Sequence, residues 1–566
     1  MGATYKAMLS CWLFTLLIFA NTLAGENVAE PLILDDTAVS AYVAIPDINK
    51  LGKAIETVAE SFAPGTLPAG ALKAQLGAML GDPTLANLDL TRPLAVMVMQ
   101  VPAEKANGQP PVALFIPAKA AAPFDETFKH MGMVSDFQDG LLLVAKDDDT
   151  LTKAKGLKAA YQKLVTAGVK SDLRIYANVA GLMNTYGPAL KAIMDMGIKQ
   201  FANINQAPGN KMDPAMIMKV ATLETKGLLA FLNQTGGVQY DLSLKPDSLN
   251  VQMLYAAKAD SAIAALLSAP AGNKALDAFT SPGMISGIFH FNPQGYDAFI
   301  NKLLPELAKD PDLAAFSSEQ LVAYLKQSAG LFAGDMAMSV SADKNGAVTN
   351  AVAMSITDEK KYLALLENAK ALMEPDSPLG KLFAGTGMKL SIEILKSVRQ
   401  HGAIAVNKMK MTMDSENLPA AQREQIKNMV KDMEFAFVNG LYVGASNPEA
   451  LDKLIDSVLG GNAAQPEVML GSMKEFGKGK ALYLDYDFIA AAKAMMPKGP
   501  NAGAENPAAA LFDHVNGSVP MLFAADYANG HLSGEAKIPF APFIEMAKAV
   551  KEMGPQTPVK KVPDGF

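Results

Sequence analysis

The sequence predicts an α+β protein of two similar lobes, each an antiparallel sheet from repeated strand–helix–hairpin–helix units packed on helices. Three observations predict it. First, "FQDGLLLVAKDDDTLTKAKG" (137–156) matches "FVNGLYVGASNPEALDKLID" (437–456) without a gap: Phe137, Gly140, Leu141, Ala145, Leu151 and Lys153 recur at Phe437, Gly440, Leu441, Ala445, Leu451 and Lys453. Self-similarity of this kind marks a doubled architecture. Second, four stretches alternate apolar and polar residues about a turn, at 94–118, 238–258, 335–356 and 521–540; period-two alternation is the mark of a strand with one buried face. Third, an aromatic-bearing strand running into a helical pattern opens each unit, at 41–58, 174–194, 286–304 and 481–496. Hairpins imply antiparallel pairing, and helices gathered on one face make the class α+β.

Taken in order, residues 1–25 read as a signal peptide. Lys6 gives a positive start, residues 7–20 are apolar, and Thr22-Leu23-Ala24 offers small residues for cleavage near Ala24 or Gly25. That apolar run is short for a membrane span of about 20 residues. Cys11 is the only cysteine and Trp12 the only tryptophan, and both fall within the segment. The mature chain then has no disulfide and no thiolate, and relies on apolar burial for stability.

The first lobe spans 26–270, with units at about 38–131 and 172–268 and a strand–helix element at 137–165 between them. The second spans 283–553, with units at about 284–373 and 480–550 and a strand–helix element at 437–459. The seam falls near 268–283. Three hairpins turn at Asn-Gly: Asn107-Gly108, Asn345-Gly346 and Asn529-Gly530. Those residues tolerate the positive φ of tight turns. The fourth uses Pro246-Asp247.

Half of the residues are apolar, 19% are charged and the net charge is −7. No basic stripe exists to neutralise phosphates, which argues against nucleic acid as a partner. The triplet Asp147-Asp148-Asp149 invites a metal reading. Its twin is Asn447-Pro448-Glu449, which suits a helix start: a capping side chain, a proline at the first position and an acid near the dipole's positive end. Capping is therefore expected at both places, and the spaced acids and glycine of a calcium loop are missing.

The histidines, His130, His290, His401, His514 and His531, contain no H-x-x-x-H pair. Ser341-Ala342-Asp343-Lys344 matches S-x-x-K but runs from a strand end into a turn, where residues i and i+3 do not meet. There is no G-x-S-x-G elbow, phosphate loop or dinucleotide fingerprint. Met409, Met411 and Met413 share one strand face; thioethers there would suit Cu(I), but an adaptable packing face is the simpler account. Two amphipathic segments, 415–435 and the C-terminal "APFIEMAKAVKEM", read as core-packing helices.

This pattern resembles uncharacterised exported bacterial proteins of the domain-of-unknown-function type, built from repeated strand–helix–hairpin modules. The resemblance assigns no residue a role. The expected function is an exported, non-enzymatic binding or scaffold protein of the bacterial envelope, periplasmic or extracellular, with an apolar ligand or polypeptide held between lobes. Its expected partners are a hydrophobic ligand or an envelope protein, with no cofactor and no assigned catalytic, cofactor-binding or metal residue. The alternative is a hydrolase whose carboxylates meet only in three dimensions, with Asp47, Asp485 and Asp487 as candidates; helix capping is the expectation for these as well.

Overall fold

The computed structural model describes residues 38–552 apart from 103–109, 123, 205–213, 269–282, 310–317, 343–347, 375, 378–379, 381–388, 415–431, 461–469, 496–511, 513–514 and 516–518. The elements begin with β1 (Val39–Ile45), α1 (Ile48–Phe62), α2 (Ala71–Leu80), β2 (Leu94–Met99), β3 (Val112–Pro117), α3 (Phe124–His130), β4 (Val134–Gln138) and β5 (Leu141–Ala145). Next come α4 (Asp148–Gly156), α5 (Lys158–Thr166), β6 (Leu173–Ala177), α6 (Val179–Ile204), α7 (Pro214–Gln234), β7 (Thr235–Leu244), β8 (Ser248–Ala257) and α8 (Ala262–Leu266). They are followed by β9 (Ile285–His290), α9 (Pro293–Ala308), α10 (Glu319–Leu331), β10 (Phe332–Ala342), β11 (Val348–Ile356), α11 (Glu359–Leu372), β12 (Lys389–His401) and β13 (Ile404–Asp414). The last are β14 (Met433–Val438), β15 (Leu441–Ala445), α12 (Pro448–Leu459), α13 (Gly471–Phe476), β16 (Leu482–Tyr486), α14 (Phe488–Met495), β17 (Met521–Ala528), β18 (His531–Pro539) and α15 (Ala541–Glu552).

All four expected hairpins form, as β2/β3, β7/β8, β10/β11 and β17/β18. At the last turn Asn529 and Gly530 both take positive φ, 53° and 77°. Asn107-Gly108 and Asn345-Gly346 lie outside the described residues. Two further hairpins, β4/β5 and β14/β15, turn at Asp139-Gly140 (φ 54° and 72°) and Asn439-Gly440 (51° and 78°). These values suit the tight turn that matches strand twist.

The chain differs from the expectation of one sheet per lobe. The pairings run β4-β5-β3-β2-β1-β6-β7-β8-β18-β17-β16-β9-β10-β11-β15-β14-β13-β12, one antiparallel sheet of 18 strands. The physical seam is β8 against β18, in register from Ser248↔Pro539 to Ala256↔His531. Each is the outer strand of a hairpin, and mutual pairing satisfies backbone groups that an open edge would leave bare.

Helices also cover both faces, not one. On the first face α4 and α5 pack on Tyr42, Met97, Phe115 and Leu143, and α12 and α13 pack on Ala337, Ala353, Val443 and Tyr483. On the second face Ile48 of α1, Leu80 of α2 and Phe124 and Phe128 of α3 meet Ile116, Leu142 and Val144, while α11 meets Phe435 and Tyr442. Strand β5 is accordingly buried along its whole length. The apolar run Leu141–Val144 has no polar alternation because both of its faces are covered. Met433, Glu434 and Phe435 belong to strand β14 rather than to the expected 415–435 helix, Asp432 precedes that strand, and 415–431 lie outside the described residues. The C-terminal helix forms as α15. No helix among the described residues is long and apolar enough to cross a membrane.

Candidate functional site

The acids singled out in the sequence cap helices. Asp147 accepts the Thr150 N–H at 2.8 Å, and Asn447 accepts from Glu449 and Ala450 at 2.8 and 3.4 Å. Asp149 pairs with Lys153 one turn on. The Thr150 backbone N–H holds the Asp147 carboxyl below its ordinary value. Asp47 caps α1 through Lys50 N–H, Asp487 caps α14 through Ala490 N–H, and Asp485 reaches from β16 to cap α13 through Gly471 and Ser472 N–H at 2.5 and 2.9 Å. Each carboxylate is thus committed to a different helix.

The remaining polar candidates disperse likewise. His130 bonds the Glu126 carbonyl, His531 stands exposed at the start of β18, and His401 lies between Asp452 and Asp456 of α12. His514, Asp343 and Lys344 lie outside the described residues. Met409 and Met411 stand opposite Ile394 and Ile392 on the β12/β13 hairpin, and Met409 packs beside Phe435 and Phe437. Among the described residues no three His, Cys, Asp or Glu side chains gather to hold a metal.

Two polar pairs sit on the first face, one fully buried and one half-buried. His290 faces Asp335 across β9/β10 at 2.7 Å, 1% and 0% exposed. Arg174 grips Asp241 with both Nε and Nη2, at 2.7 and 2.6 Å, and Ser171 and Gln239 donate to the same carboxylate. Sequence reading missed both pairs: their partners lie far apart in the chain and meet only through strand register.

The second face at the centre of the sheet differs in kind. Register places Val96, Val43, Ile175, Tyr240, Met253 and Gly534 in one row from β2 to β18. A neighbouring row holds Leu173, Leu242, Val251, Ala536 and Phe523. The side chains in these rows are aliphatic, aromatic or Met; at the start of β7 the same face carries Thr235, whose hydroxyl meets that of Tyr255 at 3.2 Å. Yet Val43 is 38% exposed on an interior strand, and Val96, Ile175, Tyr240, Leu242, Val251 and Phe523 are only half-buried.

Helix α1 lies over this face, touching β7 and α15. Its apolar residues Ile48, Leu51, Ile55, Val58, Ala59 and Phe62 recur at helical spacing and form one stripe. Only Ile48 of these is buried; the others are half-buried. Phe62 meets Phe540 edge-on at 5.7 Å, and Phe488 stacks on Phe543 at 5.1 Å, which ties α1, α14 and α15 at one end. Part of this face is closed, with Met253, Tyr255, Leu482, Leu484 and Ala525 buried against Phe231 of α7, Ile263 of α8 and Ala491 of α14, while the residues facing α1 stay partly exposed. Burial raises the Tyr240 and Tyr486 hydroxyls, keeping both phenols neutral at physiological pH. Comparison with protein-family models, with curated proteins and with solved structures finds no match for this chain.

Proposed function

We propose that this chain is an exported, non-enzymatic binding protein of the bacterial cell envelope that holds an apolar ligand between α1 and the central sheet. One observation carries the reading: α1, which touches the sheet at β7, and the second face of the central strands each carry apolar residues that are only half-buried. Apolar surface of this size left in water is costly and marks interaction sites. Each methylene buried there would contribute about 0.8 kcal/mol.

The chain is read, further, as two similar lobes, 26–270 and 283–553. In support, β5-β3-β2-β1-β6-β7-β8 and β15-β11-β10-β9-β16-β17-β18 run in the same neighbour order, and Asp147 and Asn447 cap matching helices. The β12/β13 hairpin is an addition to the second lobe. Export rests on the sequence of residues 1–25.

Nile red, which brightens on leaving water, tests the binding reading on the purified mature chain. Saturable brightening is expected; a dye that stays dark while circular dichroism reports a folded protein refutes it. N-terminal sequencing of the exported product should begin near Ala24 or Gly25, and an intact Met1 refutes cleavage.

A further inference from the structure

We infer that the edge of β8 has a second partner, β18 of another copy of this chain, so that two copies exchange their halves and close into a dimer. The inference rests on the seam of the sheet and is separate from the ligand reading above.

Strands β1–β8 form one block of the sheet and β9–β18 the other, and among the described residues the one ladder between the blocks is β8 against β18. Its nine pairs run symmetrically about Gln252↔Glu535, and each strand is the closing member of its hairpin. The seam therefore joins corresponding strands, as the interface of a twofold dimer does. Other contacts across it come from the same two surfaces: Phe540 N–H donates to the Asp247 carbonyl and Ala257 N–H to that of Gly530, both at 2.8 Å, and Phe62 meets Phe540. All of these are remade unchanged when the two blocks belong to different copies.

The hinge is short and strained. Beyond β8 the chain passes through Lys258, Ala259 and Asp260, all exposed. It is then held by the second block: Ser261 caps α8, α8 touches α9, and the Leu267 and Ser268 carbonyls accept the N–H groups of Gly530 and Asn529. Within this three-residue link Asp260 takes φ 60°, a region that a side chain disfavours. Opening the link into an extended strand releases that strain while the interface is kept, the condition under which exchange occurs.

Charge and closure select exchange over simple edge-to-edge contact. In the seam's own register, β18 against a second β18 would set Glu535 opposite Glu535, and like charges directly opposite destabilise a sheet. Lys480, 3.5 Å from Glu535, is shared with Asp526 and does not cancel that clash. The seam instead gives Glu535 the neutral Gln252. A β8–β8 contact would leave both β18 edges bare. Exchange pairs all four edges and stops at two copies.

From Glu26 on the chain has no cysteine, so an introduced thiol reports alone. A mature Asn250→Cys chain and a tagged mature Lys537→Cys chain are mixed, unfolded in urea, refolded together at high protein concentration and oxidised. These positions face each other across the seam, at the spacing of opposed strand residues, which a disulfide spans. A mixed cross-linked dimer is expected, with twice the chain mass by light scattering and native circular dichroism, and nearly absent after refolding at high dilution. Asp260→Val, which puts a β-branched residue at positive φ, should raise its yield at least twofold, and Asp260→Gly should lower it at least twofold. Folded monomer alone overturns the inference. So do cross-links joining 250 to 250 or 537 to 537 in excess of the mixed one, which report edge-to-edge contact, and a yield indifferent to residue 260. Where the cysteine variants do not fold, the unaltered chain decides: refolding at high concentration should give a dimer that persists on dilution, and a monomer overturns the inference. Nile red binding enters none of these readouts, so failure here leaves the ligand reading standing.

Discussion

The His290–Asp335 pair is the best place to weigh a single interaction. Both side chains are almost fully buried, one Asp335 oxygen lies 2.7 Å from His290 Nδ1, and the other has no hydrogen-bond partner among the described residues. Removing the imidazole leaves the carboxyl without its described side-chain partner in a low-dielectric interior, and breaking such a pair costs about 3–5 kcal/mol. His290→Ala and Asp335→Ala should each lose that much. The double substitution removes both buried groups at once and copies Ala44 opposite Ala95, which hold the corresponding place between β1 and β2. Its cost should be the lost packing alone, about 1–3 kcal/mol. Urea unfolding followed by far-UV circular dichroism gives the four midpoints of the cycle. A coupling of at least about 2 kcal/mol is expected. Simple additivity would refute the idea that the two groups exist in the core for each other.

Other outcomes follow from the same reasoning. Gly77→Ala should lower the melting temperature although alanine is the better helix former by about 1 kcal/mol: an added Cβ would sit 2.5 Å from the Asp82 carbonyl oxygen and 2.7 Å from that of Pro83. Asp485→Ala should cost about 1–2 kcal/mol in urea unfolding, because the first amides of α13 lose their acceptor, while Asp485→Asn keeps an oxygen in place and costs less. Asp147 and Asp358 have carboxyls lowered chiefly by the backbone N–H groups of Thr150 and Lys361. Their folded values lie below the unfolded value of about 3.9, so their contribution is present above that pH and is lost as pH falls through the folded values. An acid titration of the Asp147→Asn/Asp358→Asn variant should show a shallower loss of stability below about pH 4, since asparagine caps without titrating; an unchanged slope counts against the caps.

Much of the fold was legible because local chemistry and global structure agree. Asn529-Gly530, Asp147 and Asn447 each act through neighbours within a few residues, and so could be read directly. Strand order was less accessible. The β8–β18 junction is made by backbone groups that every residue carries, so no side chain announces it. The choice between one and two covered faces was also hidden, since an alternating strand shows which residues turn away from water but not what meets them. Val43 shows the limit most clearly. On sequence it is one more core valine, and only the register of its neighbours and the position of α1 reveal that its burial is incomplete. The polar pairs needed register as well: His290 and Asp335 become partners only when β9 and β10 align.

The β8–β18 seam has a consequence for how the molecule comes into being. β18 is the last strand among the described residues, so β8 is made long before the strand that completes it. Until then its free margin is an adhesive surface on an unfinished protein, open to pairing with any passing extended segment. Closing so distant a contact is slow. An escort during synthesis, or late folding of the entire sheet once β18 is made, would keep that margin covered.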